Sequence, residues 1–171
     1  AARTIAPRDV SARLVAPREK HGIPAIAGVV LRGSRVTARG VTGVRRRGAP
    51  DPATLADRWH LGSCTKSMTA TLCALLVEDG TLAWNRTMAE GFPDLAPTMD
   101  VGWRTATLEQ LLTNRSGAPE SLDADGLGAR LRRLTGPTPP QRIALLEGVV
   151  ARPPLTPPGT RFRYSNAGFS M

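Results

Sequence analysis

Apolar residues first gather in "IPAIAGVVL" (23–31), a continuous run of strand length. The turn-forming "RGS" follows, then "RVTARGVTGV" (35–44), and together these predict a β-hairpin. "RRRGAPDPATLADR" (45–58) carries two prolines and reads as a loop. From Ser63 the spacing changes: Met68, Leu72, Leu75 and Leu76 fall at i, i+4, i+7 and i+8, with Ala70 and Ala74 between them. That period predicts a helix, stopped by Gly80. "TLAWNRTMAEGFPDLAP" (81–97) looks irregular and turn-rich. Thr107 followed by Gln110 is a capping-box pattern opening a short helix through "LEQLLTN". Residues 117–138 are rich in Gly, Asp and Pro, with one helical candidate at "LGARLRRL". "PPQRIALLEGVV" (139–150) puts Ile143, Leu146 and Val150 on one face behind prolines suited to a first turn. "ARPPLTPPGTRF" then forces an extended, proline-stiffened connection. The pattern predicts an α+β chain in one domain spanning 1–171, with a hairpin at 22–44 and a mainly helical part at 63–171.

Composition narrows the function classes. With 171 residues, 41% apolar and 22% charged, the chain has the make-up of an ordinary globular domain with a real core. No apolar run approaches bilayer-spanning length, so no membrane span is expected. A net charge of +9 could serve nucleic acid. However, the arginines are scattered from Arg3 to Arg163, and no aromatic residue is interleaved with the clusters at 45–47 and 130–133. A solvated basic face is the expected outcome, without a nucleic-acid partner. Cys64 and Cys73, if on one helix, lie roughly 13 Å apart along its axis, too far for a disulfide. The Cys and His spacings suit no zinc site, so neither metal nor cofactor is expected. "AARTIAPRDVSARL" lacks the apolar core of a signal peptide, so any export signal is expected to have been removed or never present.

The candidate chemistry begins with a choice of base. Of 23 basic residues only Lys20 and Lys66 are lysines. Lys66 stands three positions after Ser63 in "HLGSCTKSMTA", on the same face of the predicted helix. Serine is a poor nucleophile until a base takes its proton, and arginine cannot be that base. The start of a helix also favours developing negative charge, and the Ser63 amide could donate to an oxyanion. On its own the pair reads equally well as a helix cap beside a solvent-facing lysine. Tyr164, the sole tyrosine, stands in "YSN" with Asn166. A tyrosine near a lysine can relay protons to a leaving group, and an asparagine there can bind both the lysine and a substrate amide. The plainer reading is a half-buried tyrosine after a proline-rich turn.

"GIPAIAGVVLRGSRV", "LGSCTKSMTA", "LEQLLTNRSGAPE" and "PPGTRFRYSNAGFSM" together resemble, in order and interval, the serine β-lactamase and penicillin-binding superfamily. The resemblance is to its class C branch, which includes family VIII-type esterases and D-alanyl-D-alanine peptidases. It runs from about Gly22 to the last residue. "LLTNRSG" is similar to the family's Leu-Thr-His-Thr-Ser-Gly loop, with Asn114 and Arg115 substituted. The resemblance implies a β-lactamase/transpeptidase-like fold and an acyl-enzyme route on β-lactams or small esters and peptides. It implies Ser63 as the acylated nucleophile, Lys66 as its proton acceptor, Tyr164 as a second proton shuttle and Asn166 as substrate and lysine anchor. An α/β-hydrolase layout fits worse, because His21 and His60 both precede Ser63, and His60 reads as a strand-end residue.

The family's third motif, Lys-Thr-Gly or a variant, finds no counterpart in a suitable context before Met171. The chain is therefore expected to be a truncated, N-terminal half of that fold. A two-stranded hairpin leaves open edges, so a homo-oligomer or a complementing chain is expected. Loss of one oxyanion donor costs roughly 10²–10³ in rate, so acylation is expected to survive better than turnover. The alternative is a catalytically weak or inactive relative that binds peptidoglycan-like ligands or a partner chain. The expected substrate is a small acyl compound, and the expected location periplasmic or secreted, with the cytoplasm as second choice.

Overall fold

The computed structural model describes residues 6–122 and 126–171. The chain divides into two compact units, residues 1–60 and 61–171.

In the first unit, β1 (Arg8–Asp9) and helix α1 (Ser11–Lys20) precede β2 (Ala25–Arg32) and β3 (Arg35–Gly43). β2 and β3 pair antiparallel from Ala25 opposite Gly43 to Arg32 opposite Arg35, with an irregularity between Val30 and Leu31. This is the hairpin that the apolar run predicts. The sheet nevertheless has three strands, ordered β1–β3–β2, because Arg8 and Asp9 add in parallel to β3. Helix α1 is also an addition to the sequence reading, since it is mostly polar and carries Pro17 within it. Its start is fixed by Asp9, whose carboxylate accepts the Ser11 N–H at 2.8 Å and the Ser11 hydroxyl at 2.7 Å. The same hydroxyl accepts the Val41 N–H at 3.1 Å. Gly40 permits this approach, since a Cβ there would lie 2.5 Å from the Ser11 nitrogen.

Arg45 closes the loop after β3 by a bidentate contact to Asp57, with Nη2 at 2.9 Å from Oδ1. Asp57 also accepts the Thr54 N–H at 2.9 Å. Hydrogen bonding by Arg45 first, and by Thr54 second, lowers the Asp57 carboxyl to about 2. Because the folded-state value is depressed, this contribution to stability is complete above the unfolded-state value of about 3.9 and lost as pH falls through about 2. Arg45→Gln is therefore expected to move the Asp57 midpoint, followed by carboxyl NMR, up toward about 3.9. A midpoint that stays put would show that Thr54 alone sets it.

The second unit holds α2 (Cys64–Glu78), α3 (Met88–Gly91), α4 (Val101–Arg104), α5 (Leu108–Leu112), α6 (Leu127–Leu131), α7 (Thr138–Val150) and α8 (Asn166–Ser170). Helix α2 follows the predicted period up to the turn at Gly80, and α5 opens on the full Thr107–Gln110 capping box. Helix α7 has its prolines in the first turn, as expected. Helices α3, α4 and α8 are four or five residues long and escape a reading by period. Part of the 117–138 segment, residues 123–125, lies outside the described residues. The core gathers Met88, Met99, Trp103, Ala106, Leu111, Leu146, Val149, Val150 and Ala167. Trp103 is 1% exposed, and its indole N–H is satisfied by the Arg152 carbonyl at 2.6 Å.

Helix α2 is the exception to this packing. Ala70, Cys73, Ala74, Leu76 and Val77 are half-buried, yet Met68, Leu72 and Leu75 on the opposite side are 56%, 58% and 55% exposed. A helix apolar on all sides is ordinarily buried on all sides. Cys64 and Cys73 are both free thiols. His60, expected at a strand end, lies outside the strands. Among the described residues, no helix is long and apolar enough to cross a membrane.

Candidate active site

Ser63 occupies the cap position of α2, but its hydroxyl makes no capping hydrogen bond. It instead shares a hydrogen bond of 2.7 Å with the phenolic oxygen of Tyr164. One turn along, Lys66 Nζ donates to Ser63 Oγ at 3.3 Å and to Asn166 Oδ1 at 2.7 Å. The same nitrogen lies over the Tyr164 ring, 4.7 Å from its centroid, and 5.6 Å from that of Phe169. All four residues picked out in the sequence thus meet, although Lys66 and Asn166 are 100 positions apart. Here the Ser63 hydroxyl makes no cap bond, and the Lys66 amine turns toward Ser63 and Asn166. Phe169 was not singled out in the sequence. Its only signal is its place three residues after Asn166, on the same face of α8.

The Tyr164–Asn166 segment is held from behind. Ser165, 2% exposed, caps α8 by accepting the Gly168 N–H at 2.7 Å, and its hydroxyl donates to the Pro119 carbonyl. The Asn166 N–H donates to the Glu120 carbonyl at 3.1 Å. Upstream, the Leu155 N–H meets the Gly117 carbonyl at 2.9 Å and the Gly159 N–H meets Arg115 at 2.7 Å. Gly117 has φ +82°, and a Cβ there would run into the Thr156 carbonyl oxygen. The loop from 114 to 120 is therefore the rail along which the proline-rich segment lies.

Hydrogen bonding by Lys66 first, and by Ser63 second, holds the Tyr164 phenol below its ordinary range, against a smaller opposing effect of burial. The arrangement offers a hydroxyl nucleophile at the start of a fifteen-residue helix, a nearby acid–base oxygen and a cationic side chain linking the two to an amide. Such a set can move a proton off Ser63 and return it to a leaving group. Among the described residues, no group of three or more His, Cys, Asp or Glu side chains could hold a metal ion.

The β-lactamase family model matches residues 10–171. Several solved structures share the fold. The penicillin-binding protein homologue of Pyrococcus abyssi, described as octameric, is 25% identical with a TM-score of 0.69, covering 93% of this chain and 36% of its own. The class C β-lactamase of Rhodobacter sphaeroides is 26% identical with a TM-score of 0.65, covering 92% and 40%. The protein SurE is 30% identical with a TM-score of 0.68, covering 93% and 31%. The chain thus spans about a third of the length of such relatives. Curated proteins give no match.

Proposed function

The chain belongs to the β-lactamase family of serine hydrolases, and from that premise we propose that Ser63 is acylated by β-lactams or by small esters and peptides. The 2.7 Å contact between Ser63 Oγ and the Tyr164 oxygen carries this reading. Ser63 Oγ attacks the carbonyl carbon while its proton passes to Tyr164. The C–N or C–O bond of the tetrahedral adduct then breaks, and the proton goes to the departing nitrogen or oxygen. The Ser63 amide donates to the developing oxyanion. Asn166 binds Lys66 and receives the amide of the acyl group. Water releases the acyl chain more slowly than it was loaded. This order shifts the first proton transfer from Lys66, which the sequence resemblance implies, to Tyr164, because the phenol stands closer to Ser63 than the 3.3 Å of Lys66 Nζ.

Incubation with a chromogenic cephalosporin and a short-chain nitrophenyl ester, followed by intact mass, tests the reading. A covalent acyl adduct supports it; neither adduct nor turnover with either reagent overturns it.

The family match runs across both units, which supports reading them as parts of one β-lactamase-like domain. Assembly belongs to the same proposal. Met68, Leu72 and Leu75 are exposed on α2, and β2, an eight-residue edge strand, exposes Val29, Val30 and Leu31. Such surfaces favour pairing with a second copy or a complementing chain. Sedimentation at micromolar concentration is expected to show a species heavier than the monomer, and Leu72→Asp to shift it toward the monomer. A folded monomer of the unmodified chain would contradict this.

A further inference from the structure

We propose that Asn114 is a positioning residue that sets the reach of the Tyr164 phenol to Ser63. Among the described residues it is the one non-glycine with positive φ, at +57°. Asparagine tolerates this left-handed conformation better than most side chains. Two acceptors on the one residue then converge on the same short stretch. The Asn114 carbonyl accepts the Arg163 N–H at 2.8 Å, and its side-chain Oδ1 accepts the Ser165 N–H at 2.9 Å. The two bonds bracket Tyr164, one residue to either side.

Tyr164 needs such a bracket. It is 40% exposed and is not seated in the core, so its orientation depends on its backbone, on the Ser63 hydrogen bond at its tip and on Lys66 over its ring. Residues 114 and 164 stand in different loops, yet the bracket fixes one on the other. Asn114 touches neither Ser63 nor Lys66 by any hydrogen bond, so its effect passes through Tyr164. Displacement of a reacting group by about 1 Å can cost on the order of 10²-fold in rate.

The proposal rests on the acyl-transfer reading for its kinetic consequence only. Because Tyr164 is the single tyrosine, phenolate absorbance reports its titration with no chemistry required. Asn114→Gly keeps the left-handed backbone and removes the Oδ1 acceptor. It is expected to move the Tyr164 midpoint up toward the ordinary value and to slow Ser63 acylation by a nitrophenyl ester about tenfold or more. Asn114→Asp keeps an acceptor in place, and on its own high-pH plateau is expected to acylate within about threefold of the unmodified chain. An unchanged midpoint and rate in a folded Asn114→Gly would overturn the proposal. So would a folded Asn114→Asp as slow as expected for glycine, which keeps the test open should the glycine variant not fold. If the unmodified chain forms no adduct but the midpoint still moves in Asn114→Gly, acyl transfer fails and the positioning stands.

Discussion

Replacing Ser63 by alanine is expected to abolish the covalent adduct and to lower ester and cephalosporin turnover by at least about 10³-fold. The substitution is unusually clean. A serine that caps a helix through its side chain costs about 1 kcal/mol when replaced by alanine, but Ser63 makes no such bond. Thermal unfolding of Ser63→Ala should therefore track the unmodified chain while chemistry disappears. Cys64 is the residue that could confuse the result, since it is an exposed thiol next to the nucleophile. Peptide mapping separates the two. An acyl group that persists in Ser63→Ala and maps to Cys64 would remove Ser63 from the mechanism, whereas loss of all adduct ties the chemistry to the hydroxyl that meets Tyr164.

What could be read in advance followed the range of the interactions involved. The hairpin, α2, α5 and α7 are specified within a few turns of their own sequence, by an apolar run, a period, a capping pair or a leading proline. Helix α1 is fixed instead by Asp9 and by contact with β3, neither of which a mostly polar ten-residue stretch announces. Helix α3 carries the same kind of capping box as α5, from Thr87 to Glu90. It was missed because four residues are too few for an apolar period to register. The site itself is non-local. Nothing in the spacing of Ser63 and Lys66 says that Tyr164 will arrive there, and only the family resemblance joined the two halves. Asn114 stood out as a departure from the family loop, but its bracket around Tyr164 emerges only when residues 114 and 163–165 are seen together.

Tyr164→Phe is expected to slow acylation by about 10²–10⁴-fold and to flatten its pH dependence. The sign follows from the hydrogen bonds. The ionised phenol is the form that can take the Ser63 proton, so the rate rises as pH passes through the folded-state midpoint of Tyr164 and levels off above it. Lys66 and Ser63 lower that midpoint, which brings the rise below the range of an ordinary tyrosine. Lys66→Ala removes the larger of these two causes, so the rise should move to higher pH and the rate near neutrality should fall. Lys66→Arg separates the two uses a lysine has here. Arginine keeps a positive charge beside the phenol but cannot take up or release a proton, and its planar fork cannot reproduce a compact donor shared between Ser63 Oγ and Asn166 Oδ1. If the first transfer is to Tyr164, Lys66→Arg retains a lowered phenol midpoint and a rate between those of the unmodified chain and Lys66→Ala. If arginine keeps the midpoint low yet slows acylation near neutrality as much as alanine does, the proton must pass through the amine. Phenylalanine at 164 with an unaltered rate and profile would remove the phenol from the reaction.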